Sequence, residues 1–147
     1  MRTALILALL LLAPDQARNA GYDPARDPAR DLEAAVKQAQ RDNRRIVLVL
    51  GGEWCSWCHV LENYFRSHAD VQSAWSSAFV TVKVNFSREN ENRAFLKQFP
   101  DAPAFPHFFV LDKDGKFLHS QGSLELEDGT TYSKDRMMRF IGKWRTK

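Results

Sequence analysis

Ile46-Val47-Leu48-Val49-Leu50 is an unbroken apolar run of strand length, rich in β-branched residues, and predicts a buried strand. Past Gly51-Gly52, Trp57, Val60, Leu61, Tyr64 and Phe65 recur at i, i+3, i+4, i+7 and i+8, one face of an amphipathic helix. Upstream, Leu32, Ala35, Val36 and Ala39 keep helical spacing behind Asp31 as N-cap, with Arg41, Arg44 and Arg45 as a solvated basic end. Val71, Ala74 and Trp75 suggest a short helix. Val80, Val82, Val84 and Phe86 then alternate with Thr81, Lys83 and Asn85, a strand pattern. Asn90 to Phe99 reads as a further helix, and Pro100, Pro103 and Pro106 interrupt the chain after it. Phe108-Phe109-Val110-Leu111, the turn Asp112 to Gly115 and a strand around Phe117-Leu118 predict a hairpin. A loop runs from Gly122 to Gly129. Ser133 caps a last helix whose Met137, Phe140, Ile141 and Trp144 share a face. The order β-α-(α)-β-α-β-β-α predicts an α/β layer design, a mixed sheet covered by helices.

The first 31 residues follow other rules. Arg2 precedes an apolar stretch from Ala4 to Ala13, too short to span a bilayer, which reads as a signal peptide over residues 1–20 with its cleavage site left open. Residues 21–31 hold Asp-Pro-Ala-Arg twice over and predict an extended lead-in, since two close prolines oppose a helix. The folded domain is expected over residues 32–147. At 44% hydrophobic and 27% charged, the composition suits one ordinary core. Removing residues 1–20 takes away two of 21 basic and one of 18 acidic side chains, so the balance stays slightly positive. Basic residues are scattered, which leaves no stripe for nucleic acid. Export together with a cysteine pair points to an oxidising compartment, periplasmic or secreted.

The candidate chemistry sits where the apolar strand turns into the helix, at Trp54-Cys55-Ser56-Trp57-Cys58-His59. Both cysteines of the protein lie there, two residues apart. The free N–H groups and partial positive charge of a helix N-terminus stabilise a thiolate, so Cys55, at the exposed edge, is expected to have a lowered pKa. Cys58, one turn inward, can attack a mixed disulfide formed at Cys55.

With Trp54 before the Cys-x-x-Cys, a strand leading in, and Phe105-Pro106 just ahead of a second strand and an Asp-Gly turn, the chain resembles the thioredoxin superfamily. It is most similar to its secreted members that carry Trp-Cys-x-x-Cys-His. The resemblance implies a thioredoxin-like fold with a central mixed sheet flanked by helices. It implies a protein disulfide oxidoreductase with Cys55 and Cys58 as its redox pair, needing no cofactor beyond that disulfide and no metal. Its partners would be protein thiols and disulfides outside the cytoplasm, and a protein that recycles the pair. Pro106 takes the place of the family's cis-proline beside the disulfide; with Phe105 it would shape the groove for substrate backbone, and Trp54 would flank it. Ser56, Trp57, His59 and Lys83 stand where they could tune the pair. Two departures touch the direction of electron flow: Val49 replaces the carboxylate that thioredoxins bury below the site, and Ser56-Trp57 is neither Gly-Pro nor Pro-His.

Other readings stay open from the residues. Cys55, Cys58 and His59 also satisfy the Cys-x-x-Cys-His of c-type haem attachment, with Met137 or Met138 as a second axial ligand. A zinc site would need two more ligands from His59, His68, His107 and His119, which show no recognisable spacing. A non-catalytic binding domain would keep only the fold, and a static disulfide closing so short a loop would add little stability. Trp54 and Trp57 are candidate platforms for polypeptide, though Trp57 equally fits the apolar face of its helix. Glu53 and His59 fit either thiol tuning or plain solvation, and His107 fits the core or its rim.

Overall fold

The computed structural model describes residues 20–147; the expected signal peptide therefore lies, but for Ala20, outside the described residues. A four-stranded mixed sheet has the order β2-β1-β3-β4. Strand β1 (Arg45–Gly51) pairs in parallel with β2 (Phe79–Asn85) and antiparallel with β3 (His107–Leu111), which pairs antiparallel with β4 (Phe117–Gly122). Both faces of β1 are covered, which is why residues 46–50 are all apolar. Val47 and Val49 face a core built with Leu61, Tyr64, Trp75, Phe79, Phe108, Met137 and Phe140. Ile46, Leu48 and Leu50 face a second core with Val82, Val84, Phe109 and Leu111, closed by Ala35 and Ala39. Helix α1 (Pro28–Asp42) covers the second face; α2 (Ser56–Ser67), α3 (Ala69–Ala78) and α5 (Lys134–Trp144) cover the first. Among the described residues, no helix is long and apolar enough to cross a membrane.

Four sequence expectations need correction. The lead-in is not extended over all of 21–31, because α1 starts at Pro28. Its cap is Asp27, whose Oδ1 accepts from the N–H of Ala29 at 2.9 Å and of Arg30 at 3.4 Å. A proline in the first turn has no hydrogen bond to lose and its fixed φ suits the helix, so Pro28 begins what a proline further in would break. Asp31, expected as the cap, pairs instead with Arg26 at 2.5 Å. The helix expected over Asn90–Phe99 shrinks to α4 (Arg93–Leu96). Asparagine side chains take its start: Asn90 Oδ1 accepts from Asn92 N at 3.0 Å, and Asn92 Nδ2 donates to Asn85 O at 2.7 Å. Such local bonds compete with helix formation. The loop from Gly122 contains a 3₁₀ turn, Ser123–Leu126, and a short hairpin of β5 (Glu127–Asp128) and β6 (Thr131–Tyr132). Ser133 does cap α5, accepting from Arg136 N at 3.4 Å.

Candidate active site

Strand β1 ends at Gly51, and a tight turn follows in which Cys55 N–H donates to Gly52 O at 3.0 Å. Cys55 is the N-cap of α2, its backbone extended and its Sγ accepting from Cys58 N–H at 3.1 Å. Cys55 and Cys58 form a disulfide. Cys55, expected at an exposed edge, is only 4% accessible because its sulfur is tied back onto Cys58, which is 0% accessible. The order of the two is kept, but the difference is small in this oxidised form.

Gly52 makes room for the surroundings. A Cβ on Gly52 would stand 2.4 Å from Trp54 Nε1, so the absent side chain lets the indole fold back over the turn. There Trp54 donates to Phe86 O at 2.6 Å and sets its edge against Phe105, 5.6 Å between centroids, while staying 58% exposed. Phe86 and Phe105 stack at 5.2 Å, so Trp54 caps a short aromatic ladder next to the disulfide. The Phe105–Pro106 peptide is cis and Pro106 is buried. Trp57 turns away from this ladder and packs edge-on to Tyr132 at 5.7 Å, against the core. Ser56 is exposed as the first residue of α2.

The polar neighbours are mostly occupied. His59 Nε2 lies 2.8 Å from Glu53 O and 3.7 Å from Glu53 Oε2. The Glu53 carboxylate accepts from two backbone N–H groups, Ala20 at 3.0 Å and Tyr22 at 2.8 Å, and so pins the incoming chain beside the site. Lys83 projects from the position that pairs with Val49, bonds the Glu62 carboxylate of α2, and lies 5.0 Å over the ring of Tyr22. Sequence reasoning missed Tyr22, Glu62 and Phe86 as neighbours of the site. Only Tyr22 left a signal, a lone aromatic in a polar, proline-bearing stretch.

His107 belongs to the core rim. It is 3% exposed, its Nε2 lies 2.7 Å from Ser120 Oγ, and burial, then His119, pushes its pKa below the ordinary 6.5. A histidine held neutral when folded takes up a proton on unfolding. Stability is therefore full above the unfolded value and is lost as pH falls from about 6.5 toward the folded one. Urea melts across that range are expected to show a lower midpoint on the acid side, and His107→Gln to flatten the slope; an unchanged slope would remove His107 as its source.

The haem reading does not fit these residues. His59 Nε2, the atom that would bind iron, is held against Glu53 O at 2.8 Å; of the two candidate second ligands, Met137 is wholly buried in the core and Met138 is 39% exposed on α5. No group of three or more His, Cys, Asp or Glu that could hold a metal occurs among the described residues.

A family described as thioredoxin-like matches residues 27–113, more than half of the chain and inclusive of both cysteines. The chain belongs to this thioredoxin-like family. Solved structures agree on the fold. A disulphide isomerase from Xylella fastidiosa Temecula1 is similar at a TM-score of 0.71 and 23% identity, over 85% of this chain and 96% of that one. The C-terminal domain of DsbD from Neisseria meningitidis, in its oxidised form, matches at 0.59 and 19% identity, over 81% and 97%. A DsbH oxidoreductase matches at 0.51 and 23% identity, over 76% and 81%. No curated protein matches the chain. This thioredoxin-like chain thus carries a Cys-x-x-Cys disulfide in a fold shared with disulfide oxidoreductases.

Proposed function

We propose that the protein is a thiol–disulfide oxidoreductase that exchanges disulfides with protein substrates outside the cytoplasm. The observation that carries this reading is the disulfide at the N-cap of α2, with exposed Trp54 beside it. Cys55 attacks a substrate disulfide as a thiolate favoured by the N–H of Cys58 and by the helix end. Cys58 then attacks Cys55, restoring Cys55–Cys58 and releasing the substrate sulfur as thiolate; the reverse sequence donates a disulfide. Trp54, Phe105 and Pro106 form the surface that receives substrate backbone, and Ser56, Trp57, His59 and Lys83 set its surroundings. The chemistry needs no cofactor beyond the disulfide, but a redox partner must reset it. Residues 1–20 serve export as a signal peptide.

Equilibration of the pair with glutathione tests the reading. A potential near about −270 mV assigns a reductase and one near about −120 mV an oxidant, each with turnover of a protein disulfide such as insulin. A value below about −300 mV without turnover describes a structural bridge and overturns the proposal.

A further inference from the structure

The chain entering the domain passes beneath the redox pair. Glu53 holds it through the N–H of Tyr22, which lies beyond the expected signal peptide, and the Tyr22 side chain is buried, 4% exposed. Its hydroxyl has no hydrogen-bond partner among the described residues. A Cβ placed on Gly51 would stand 2.4 Å from Cys58 Sγ and 2.7 Å from the Tyr22 hydroxyl oxygen. Both atoms therefore border the space that one missing side chain leaves. A buried hydroxyl without a partner is costly to keep, so its retention calls for a reason.

We propose that the Tyr22 hydroxyl is the hydrogen-bond donor to the Cys58 sulfur whenever that sulfur carries negative charge. This rests on the oxidoreductase reading and names the group that makes its second step practicable. In the disulfide, Cys58 Sγ is neutral and a weak acceptor, so the hydroxyl is idle. In the mixed disulfide, Cys58 gives up its S–H proton to water and becomes the nucleophile. Its electron pair forms the Cys58–Cys55 bond, the Cys55–substrate bond breaks, and that pair leaves on the substrate sulfur, which takes a proton from water. Burial at 0% exposure opposes the Cys58 thiolate, and Val49 puts no polar group beneath it. Tyr22 supplies a donor to a sulfur that the folded chain buries.

Tyr22 keeps its own proton throughout. Burial, then the charges of Glu62, Tyr132 and Glu53, push its ionisation up, so it serves as donor and not as base. Lys83, paired with Glu62 and lying over the Tyr22 ring, completes the charged and titratable set around it. Tyr22 lies in the entry segment, ahead of residues 27–113, the part that matches the family.

Tyr22→Phe keeps the ring and removes an oxygen that has no partner to lose, so the fold is expected to persist; a melting curve verifies it. The test follows the Cβ shifts of isotope-labelled Cys55 and Cys58 in the reduced protein against pH. Losing one charge-assisted bond is expected to raise the Cys58 midpoint by about one pH unit, a tenfold smaller thiolate fraction, with little movement at Cys55. Decay of a Cys55–glutathione mixed disulfide is expected to slow about threefold, less than tenfold because a thiolate of higher pKa is the better nucleophile. A Cys58 midpoint that stays put, or equal shifts at both cysteines, overturns the proposal. A shift at Cys58 alone, in a protein that turns over no protein disulfide, sustains the donor and defeats the oxidoreductase reading instead.

Discussion

Cys58→Ser protein, produced in an exporting host, is expected to accumulate mixed disulfides with other proteins on non-reducing gels, whereas Cys55→Ser is expected to trap almost none. The asymmetry comes from position. Cys55 caps α2, and its sulfur already accepts the Cys58 N–H at 3.1 Å, a bond that favours its thiolate once the bridge opens. Cys58 is wholly buried and meets only a sulfur delivered to it by Cys55. Removing Cys55 therefore deletes the attack, and removing Cys58 deletes the release. Either single variant is expected to lower insulin turnover by roughly a thousandfold or more, since the pair acts as a unit. In the reduced protein, iodoacetamide is expected to label Cys55 first. Equal trapping by the two variants, or faster labelling of Cys58, would reverse the assigned roles.

Gly51→Ala is expected to be the most damaging single-methyl change near the site. The new carbon would lie 2.4 Å from Cys58 Sγ and within 2.8 Å of Tyr22 Cζ, closer than side chains approach one another. Neither neighbour yields readily: the sulfur is bridged inside the first turn of α2, and Tyr22 N–H is anchored by Glu53 at 2.8 Å. Overpacking of this kind costs about 1–3 kcal/mol, here a fall in Tm of roughly 5–15 °C. Adding Tyr22→Phe removes one of the overlapping atoms and is expected to recover part of that loss, which a double-mutant cycle measures. An unaltered Tm would mean that Cys58 and Tyr22 do not crowd Gly51.

The unbroken apolar run of β1, the alternation in β2 and the i, i+3, i+4 stripes of α2 and α5 were legible because burial of two faces or of one imposes its pattern directly on the sequence. The same periods put Cys55 and Cys58 at a strand-to-helix junction before any coordinate was known, and helix-end electrostatics singled out Cys55. Where side chains compete with backbone the reading failed: Asp27 and Pro28 started α1 inside a stretch expected to be extended, and Asn90 and Asn92 shortened α4. Trp57 fitted both an exposed platform and a core position, and packing on Tyr132 chose the latter. Contacts between distant segments left no periodic trace. Lys83 with Glu62, Trp54 with Phe86 and Phe105, and Tyr22 opposite Cys58 each join parts of the chain far apart in sequence. Residue spacing constrains only what lies on one helix face or one strand. Which faces meet, and which hydroxyl ends beside which sulfur, follows from packing the layers at a density that leaves Gly51 no room for a methyl group.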